Sequence, residues 1–518
     1  MAPKLAHVNM MTDTVVANLP PEALRSIIRS LLASQPGFTI AFEENTRAYL
    51  QSTSIGGLSQ ISRESLGAAQ TRIRCMLGCG LCYESLPVLG SLVENAKAMD
   101  YEGEFLQSID ADIVQAATAV QKSLPRSTDE KTMLNTFYDT LTTCHNQYSP
   151  INQDFPFERG LMAIANLLGR PTPTLQTKTF TSDITLDLPP AETFQLGSRQ
   201  LPRLFSGLWQ LSSPAWGAAS ISKILQQFTQ YTQNGFTAFD MADHYGDAEI
   251  IFGRFRSSYL HRKTLFAATK FCVFQPMTIT SDVVQANVAE RCRRLQVDQI
   301  DLLQFHWQSY EDSQYINALK YLEQDDRVGM LGLCNFDTEH MQRVIDSGVT
   351  IYSNQVQFSL IDSRPVVKMG AVCEKHNVKL LTYGTLCGGF LAEKWLGKAE
   401  PRLYDSDITP SQRKYYTMIL SWGNWVLFQE LLETLYSIGR KHNVSISNVA
   451  TRWVLDFAYV GAVIVGARMG VSEHVDENRA SFGWSMDKAD QEAIEVVLKR
   501  SRRLEMFEVM GDCGGEYR

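Results

Sequence analysis

Short apolar runs typical of buried β-strands alternate with amphipathic helical windows from about residue 193 onward. Seven runs follow GLWQL, which lies near residue 208: FTAFDMA, LFAATKF, IDLLQFHW, MLGLCNF, SNQVQFSL, VKLLTYG and AVIVGA. Strands separated by helical windows such as SDVVQANVAERCRRL pair in parallel through right-handed crossovers. The resulting eight βα units predict an α/β fold, a closed (β/α)8 TIM barrel.

The barrel segment lacks the glycine patterns of nucleotide-binding open sheets. No G-x-G-x-x-G follows the first strand, as a Rossmann sheet would require, and no Walker-type G-x-x-x-x-G-K-[ST] is present. A closed barrel is therefore preferred to an open doubly wound sheet. In such a barrel, functional groups project from the carboxyl ends of the strands.

Apolar residues recur at helical spacing before the barrel segment. The helical windows are PPEALRSIIRSLLAS and the ranges 63–98, 103–124, 128–145 and 157–168. The stretch that follows is rich in proline and threonine and has no apolar period, as expected of a linker. We predict an all-α N-terminal domain of unknown role over 1–170, a Pro/Thr-rich linker over 171–192 and the barrel over 193–518. A role of the helical domain in oligomerisation stays open.

The composition excludes several classes of partner and compartment. A net charge of −8 without long basic runs argues against nucleic acid and against an anionic membrane surface. No apolar run has the length of a signal peptide core or a transmembrane helix, so the predicted location is cytoplasmic. The ten cysteines are not disulfide-dense and are expected to be reduced. The expected partner is a small molecule, and the oligomeric state is left open.

Four polar residues stand at the ends of three consecutive predicted strands. FDMADHYG places Asp240 and Tyr245 after the second strand, ATKF places Lys270 at the end of the third, and QFHW places His306 at the end of the fourth. Each residue alone is typical of a satisfied core group. Because strand ends meet at one mouth of a barrel, their coincidence predicts a catalytic centre.

This set of groups suits the reduction of a carbonyl. A hydride that arrives at the carbonyl carbon leaves charge on the oxygen, which must then be protonated. A phenol with a pKa of about 10 is a poor acid, so we expect Lys270 to lower the pKa of Tyr245. Asp240 would hold the lysine charged and in place. His306 would orient the carbonyl by hydrogen bonding.

The motifs FDMADHYG, ATKF, LLQFHW, GLCNF and NQVQFSL resemble those of aldo-keto reductases in order and spacing. The resemblance covers nearly all of residues 193–485. It implies an oxidoreductase that interconverts an aldehyde or ketone and an alcohol. The implied roles are Tyr245 as proton donor, Lys270 as its pKa-lowering partner, Asp240 as the anchor of the lysine and His306 as the orienting group.

The same resemblance implies a site for a nicotinamide cofactor. Asn335 and Gln355 resemble the residues that hydrogen-bond the carboxamide, and Tyr383 resembles the aromatic residue that stacks on the nicotinamide ring. Cys334 stands where many members carry serine or threonine, and a thiol donates a weaker hydrogen bond. We therefore expect somewhat weaker cofactor binding.

Phosphate contacts are implied further along the chain. Lys394 resembles a lysine that contacts the pyrophosphate, and Arg468 resembles the ligand of the 2′-phosphate, with His474 and Asn478 beside the adenine. An arginine there favours NADPH/NADP+ over NADH, because a guanidinium fork matches a phosphate dianion. Val465 replaces a proline of the family, which leaves the geometry of this loop open.

Aromatic residues gather around the predicted mouth. Trp209, Trp216 and Trp307, together with a Tyr- and Trp-rich segment between residues 396 and 425, predict a pocket for an aromatic or extended apolar carbonyl compound. A packed outer helix would explain many of these rings equally well. His244 is a candidate contact on the substrate side.

CMLGCGLC in the helical region places Cys75, Cys79 and Cys82 at a spacing that resembles radical SAM enzymes. The motif lies in a helical window without a preceding strand, which favours small packed residues on one stripe. We therefore expect no metal.

A different class of function shares the predicted barrel. A nicotinamide-nucleotide-sensing regulatory or binding protein with little turnover is known on this fold, as in potassium-channel beta subunits. The additional helical domain keeps this alternative open.

Overall fold

The structure is a computed structural model of the full chain. It describes residues 15–16, 18–53, 63–96, 103–123, 127–148, 155–170, 192–212, 216–405 and 408–518. The linker predicted over 171–192 lies outside these ranges except for Glu192. The boundaries of the predicted domains therefore stay predictions.

Helices are the only secondary-structure elements in the described part of the chain before residue 171. They are α1 (Pro21–Ser34), α2 (Phe38–Ser52), α3 (Arg63–Gly78), α4 (Cys82–Asn95), α5 (Gly103–Ser123), α6 (Thr128–Tyr148) and α7 (Glu158–Leu167). Their main core is a cluster of its own, in which Ile73, Leu89, Ile113 and Leu141 are fully buried. The predicted all-helical N-terminal region is confirmed.

The cysteine-rich segment forms the turn between α3 and α4, where Gly80 has a φ of +85°. The described part of the predicted helical window 63–98, residues 63–96, therefore contains two helices. Cys75 is exposed, whereas Cys79 and Cys82 pack in different apolar clusters. Among the described residues, these three thiols do not converge on a common ligand site.

An antiparallel hairpin that the sequence analysis did not predict precedes the barrel. Its strands are β1 (Thr193–Leu196) and β2 (Arg199–Pro202). Leu196 and Leu201 pack with Phe205, Phe266 and other residues at the amino ends of the barrel strands. The hairpin thus covers the end of the barrel opposite the strand carboxyl ends.

Eight parallel strands close the barrel in the order β10-β3-β4-β5-β6-β7-β8-β9. The strands are β3 (Leu204–Gly207), β4 (Ala238–Asp240), β5 (Phe266–Val273), β6 (Leu302–Trp307), β7 (Leu331–Cys334), β8 (Ser353–Gln357), β9 (Lys379–Tyr383) and β10 (Val460–Gly466). The predicted (β/α)8 barrel is confirmed. The first strand lies earlier than GLWQL suggested, because the chain turns after Gly207.

Helices surround the barrel and extend its carboxyl-terminal side. They are α8 (Ile221–Gln233), α9 (Ala248–Ser258), α10 (Ser281–Leu295), α11 (Gln314–Glu323), α12 (Thr338–Asp346), α13 (Met369–His376), α14 (Pro410–Trp422), α15 (Trp425–His442), α16 (Ile446–Leu455), α17 (Val475–Arg479), α18 (Lys488–Lys499) and α19 (Arg503–Met510). α14 arises from the aromatic-rich segment after β9. No helix of the described residues has the length and apolar character to span a membrane, and the cytoplasmic location stays a prediction.

Strand register decides which side chains share the mouth. Lys270 on β5 pairs with Gln304 on β6, and Cys272 pairs with His306. Gln355 on β8 pairs with Cys334 at the end of β7. Residues far apart in the chain are thereby brought to one level of the barrel.

Candidate active site

A cavity of 790 Å³ opens at the carboxyl ends of the barrel strands. Its lining includes Asp240, Tyr245, Lys270 and His306, the four residues predicted to form a catalytic centre. A volume of this size is typical of a small-molecule or cofactor site. The structure therefore brings the predicted set together at the mouth of the barrel.

The buried carboxylate of Asp240 holds the ammonium group of Lys270. Lys270 Nζ donates to Asp240 Oδ2 over 2.7 Å and to Met241 O over 2.8 Å. Asp240 Oδ1 accepts from the amides of Gln304 and Gln355 at 3.1 and 2.7 Å. Burial alone would lower the pKa of Lys270, but Asp240 holds it above its ordinary value. The lysine is therefore a fixed cation.

The hydroxyl of Tyr245 lies 3.4 Å from Lys270 Nζ, which donates to it. Burial raises the pKa of Tyr245 above its ordinary range; the charge of Lys270 lowers it and that of Asp240 raises it. Lys270 thus lowers the pKa of Tyr245, as expected. The net shift is still upward, because desolvation of a phenolate outweighs one neighbouring cation. Tyr245 is therefore a protonated phenol in this structure.

His306 presents a free ring nitrogen to the cavity. Its Nδ1 lies 3.0 Å from Cys334 O, and its buried Nε2 has no hydrogen-bond partner among the described residues. Burial lowers the pKa of His306 to about 4. A neutral ring whose Nδ1–H donates to a carbonyl has an acceptor at Nε2. In this state Nε2 can accept a hydrogen bond, and donation from Nε2 requires the imidazolium.

The three residues implied for the nicotinamide lie close together. Tyr383 donates its hydroxyl to Asn335 Oδ1 over 2.9 Å. Gln355 donates its amide to Asp240, as above, and to Gln304 Oε1 over 3.0 Å. Burial raises the pKa of the neighbouring Cys334 to about 12, so this residue is a thiol. The donor and acceptor set of a carboxamide site is present, next to Lys270 and Tyr245.

The C-terminal tail, residues 511–518, enters the same cavity, which the sequence analysis did not foresee. Tyr517 lines the cavity, and its hydroxyl lies 3.0 Å from that of Tyr383. Arg518 donates to Asn335 O over 2.6 Å. The tail therefore contacts two of the residues implied for the nicotinamide, Asn335 and Tyr383.

Positive side chains line the outer part of the cavity. Lys394 and Arg468 both belong to the lining, and no carboxylate of the described residues forms an ion pair with Arg468. His474, the exposed N-cap of α17, and the half-buried Asn478 within that helix lie outside the lining. There His474 Nδ1 lies 3.0 Å from Glu477 Oε2. The structure thus groups Lys394 and Arg468 with the cavity, and leaves the other two on the adjoining surface.

The aromatic lining differs in part from the prediction. Trp209 and Trp216 line the cavity with their ring centroids 5.9 Å apart. Trp307 does not, which corrects the expectation: it is 2 % exposed. Its Nε1 donates to Ser309 O and Asp312 O, and its ring stacks on Phe305. Alternation along β6 explains this, because neighbouring residues point to opposite faces of a strand.

Comparison with known families gives a clear match to the barrel. The model of the aldo/keto reductase family matches residues 203–499. The chain belongs to the aldo/keto reductase family. Members are oxidoreductases that act on carbonyl compounds with nicotinamide cofactors. The match leaves the helical N-terminal region outside.

Two curated proteins illustrate the similarity of this aldo/keto reductase. The chloroplastic pyridoxal reductase of Arabidopsis thaliana is 27 % identical over 363 residues, which cover 63 % of this chain and 95 % of that protein. The aldo-keto reductase YhdN of Bacillus subtilis (strain 168) is 23 % identical over 313 residues, 58 % of this chain and 90 % of that protein. Among solved structures, the glycerol dehydrogenase of Gluconobacter oxydans has a TM-score of 0.51 at 24 % identity, covering 60 % of this chain and 96 % of that one. This last likeness shows the fold alone.

Several residues of the aldo/keto reductase cavity escaped the sequence analysis. Lys414 of α14 lines the cavity, with its ammonium 5.5 Å from the ring centre of Tyr517. Cys272 also lines the cavity, next to His244, which the sequence had already suggested as a substrate-side contact. Together with Asp243 these two residues bring three metal-ligating atoms within 4.8 Å of one another, although Asp243 already accepts from the Cys272 amide. No pattern near Lys414 or Tyr517 singles them out, because their proximity depends on how α14 and the tail fold back.

The docking of the tail can be tested at Gly514. This residue has a φ of +79°, and a Cβ there would lie 2.1 Å from Asn335 O. We expect Gly514→Ala to displace the tail, because a backbone oxygen cannot move aside cheaply. Carboxypeptidase B should remove Arg518 from this variant about tenfold or more faster than from the wild type. Mass spectrometry measures the loss of the residue over time. Gly348→Ala, with a φ of +86° and open space around it, is the matched control; equal rates in both variants would contradict the docked tail.

The neutral state of His306 makes a prediction about acid stability. An unfolded histidine takes up a proton near pH 6.5, whereas folded His306 takes one up only at about pH 4. Its contribution to stability is therefore complete above pH 6.5 and is lost as the pH falls through this window. Urea titrations measure the free energy of unfolding at each pH. As the pH falls from 6.5 to 4, this free energy should decrease less steeply in His306→Gln than in the wild type, by up to about 1.4 kcal/mol per pH unit. The exposed His261→Gln should follow the wild type; a His306→Gln curve parallel to the wild type would contradict the buried neutral imidazole.

Proposed function

We propose that the protein is an NADPH-dependent aldo-keto reductase that interconverts an aldehyde or ketone and an alcohol. The observation that carries this proposal is the chain from Asp240 through Lys270 to the Tyr245 hydroxyl, beside the unpartnered Nε2 of His306. A cation, a phenol and an imidazole that face one cavity match the needs of an oxygen that gains charge and a proton. The proposed catalytic unit is the barrel, residues 193–518, after the helical domain 1–170 and the linker 171–192.

In the proposed mechanism, Tyr245 is the general acid in reduction and the general base in oxidation. Its raised pKa keeps the proton on the phenol until the substrate oxygen becomes basic. Lys270, fixed at 3.4 Å, then stabilises the phenolate that remains. Asp240 keeps the lysine charged throughout. The nicotinamide, when bound, supplies or accepts the hydride.

His306 has a direction-dependent role in this proposal. With its neutral ring donating to Cys334 O, it accepts the hydroxyl hydrogen bond of an alcohol at Nε2. Donation to the oxygen of a carbonyl requires the imidazolium, which becomes easier to form as negative charge develops nearby. The residue therefore binds the alcohol in the resting state and supports the developing alkoxide during reduction.

The residues that would hold the cofactor are those implied by the resemblance. Asn335, Gln355 and Tyr383 would hold the nicotinamide end, next to Tyr245. Lys394 would contact the pyrophosphate and Arg468 the 2′-phosphate, while His474 and Asn478 would lie beside the adenine. The guanidinium of Arg468 has no ion-pair partner among the described residues, which supports NADPH because such a group gains most from a phosphate dianion.

The substrate side of the cavity is aromatic. Trp209 and Trp216 form one wall, and His244 and Phe274 lie edge-to-face with ring centroids 5.1 Å apart at the other. Such walls suit a planar or apolar carbonyl compound. The relative from Arabidopsis thaliana is named a pyridoxal reductase, and pyridoxal is an aromatic aldehyde. We therefore propose aromatic aldehydes as the preferred class.

A carbonyl panel tests the proposed activity. Oxidation of NADPH at 340 nm is expected with at least one of 4-nitrobenzaldehyde, pyridoxal and methylglyoxal. Tyr245→Phe should lower kcat by about 10²- to 10⁴-fold, the usual contribution of a general acid. Its NADPH affinity, from quenching of tryptophan fluorescence, should stay unchanged because the phenyl ring is retained.

Tyr231→Phe, a buried tyrosine of α8 away from the cavity, is the control and should keep wild-type kcat. If the wild type shows no turnover above Tyr245→Phe over a broad panel, the reductase proposal fails. The nucleotide-sensing alternative would then account for the site.

Arg468 tests the choice of cofactor. Arg468→Ala should weaken NADPH binding by about 10- to 100-fold, the loss of a charge-assisted hydrogen bond of roughly 1.5–3 kcal/mol, and leave NADH binding unchanged. Isothermal titration with both cofactors measures this. Arg479→Ala, outside the cavity lining, is the control. Equal affinities of the wild type for NADH and NADPH would contradict the assignment.

A further inference from the structure

One buried arginine of the N-terminal helical region reaches into the barrel. Arg159, on the first turn of α7, is 2 % exposed, although its guanidinium leaves its own helical core. Its Nε and Nη2 donate to the two carboxylate oxygens of Asp247 over 2.9 and 3.0 Å. Nη2 also donates to Leu211 O over 3.1 Å, and Nη1 to Ala219 O over 3.5 Å. The guanidinium thus joins two loops of the barrel mouth.

The contacts of this arginine lead directly to the segment that carries Tyr245. Asp247 is the N-cap of α9, two residues after Tyr245. Ser212 Oγ lies 2.6 Å from Asp247 Oδ1 and 2.8 Å from Tyr245 O, and it accepts from the Asp247 amide. A path of direct hydrogen bonds therefore connects Arg159 with the backbone of Tyr245.

Helix α5 of the same region also contacts the loops that follow β3 and β4. Gln115 Nε2 donates to Ser212 O over 2.5 Å. Gly246, next to Tyr245, has a φ of +60°, and a Cβ there would lie 2.5 Å from Ser212 Cβ and 3.3 Å from Thr118 Oγ1. The Tyr245 segment is thus held between the first loop of the barrel and α5.

Tyr245 needs such support more than its partners do. Asp240, Lys270 and His306 lie on strands whose hydrogen bonds to neighbouring strands fix them. Tyr245 lies on the loop between β4 and α9, beyond the last strand residue. A displacement of about 1 Å of a reacting group can cost 10²-fold in rate. The position of the phenol relative to Lys270 therefore depends on how well this loop is held.

We propose that the N-terminal helical region acts as an intramolecular brace of the catalytic mouth, with Arg159 as a positioning residue for Tyr245. The brace is made of the Arg159–Asp247 ion pair, Ser212 and Gln115. It also orders residues 208–212, which include Trp209, because Leu211 O and Ser212 O are among its contacts. The role in catalysis rests on the proposed reductase function; the ordering of the loops does not.

The test removes both charges of the pair, because a single change would leave one charge buried alone. In full-length Arg159→Met/Asp247→Asn, kcat for 4-nitrobenzaldehyde with NADPH should fall about 10- to 100-fold. The Kd for NADPH should stay within about twofold, because the cofactor residues lie elsewhere. Arg159→Lys, which keeps the charge but loses the fork, should recover part of kcat.

Arg254→Met/Glu158→Gln is the matched control, since this ion pair also joins α7 and α9. It should keep kcat within about threefold, the scatter expected for a change outside the reacting groups. A loss of kcat equal to that of Arg159→Met/Asp247→Asn would overturn a specific brace and leave only general contact between the two regions. If the double variant does not fold, Gln115→Ala takes its place, and an unchanged kcat there would overturn the proposal.

Hydrogen–deuterium exchange separates this proposal from the reductase function. Amides of residues 208–212 and 241–248 should exchange at least about tenfold faster in Arg159→Met/Asp247→Asn than in the control pair. Unchanged exchange overturns the brace whatever the activity. Faster exchange in a protein that turns over no carbonyl compound supports the brace and overturns the reductase function instead.

Discussion

Closure of the barrel is the constraint on which the other features of the mouth depend. Pairing of β10 with β3 places Val463 beside Leu204 and Gly466 beside Gly207, although each pair is 259 positions apart in the chain. Eight parallel strands then end at one rim, so that the loops after β3, β4, β9 and β10 surround one cavity. An open sheet with the same strands would spread these ends along a line. Only closure of the barrel makes the strand ends and the loops after them enclose one cavity.

Burial at the bottom of the cavity has opposite effects on the charged forms of Lys270 and Tyr245. A buried ammonium without a partner would cost several kcal/mol, and Asp240 offsets this cost for Lys270 with support from two glutamine amides. The same exclusion of water raises the pKa of Tyr245 more than the lysine lowers it. The hydroxyl of Tyr245 therefore keeps its proton next to the permanently charged ammonium of Lys270. Little phenolate is present at rest, and the charge of Lys270 stabilises the phenolate of Tyr245 once the proton has left.

The mouth receives support from both ends of the chain. From one side, α5 and α7 meet the loops after β3 and β4 through Gln115 and Arg159; from the other, the tail meets Asn335 and Tyr383. Removing one partner of a fully buried ion pair such as Arg159–Asp247 typically costs about 3–5 kcal/mol. These contacts involve the loops after β3 and β4 and the C-terminal tail. The pairing of the strands does not fix the positions of these segments. The barrel positions the strand-borne groups, and the flanking segments position the rest.

The sequence by itself determined the strands, the all-helical start and the convergence of Asp240, Tyr245, Lys270 and His306, because hydrophobic period and strand ends are local properties. It did not reveal the β1–β2 hairpin, and it placed Trp307 in the pocket, since one strand residue can face either the mouth or the core. It predicted that Lys270 lowers the pKa of Tyr245 but not that burial raises this pKa further, because desolvation depends on everything that surrounds a group. Tyr517, Lys414 and Arg159 entered the site or its support only through folding. Contacts between segments hundreds of residues apart carry no period and no spacing, so only the tertiary structure decided them.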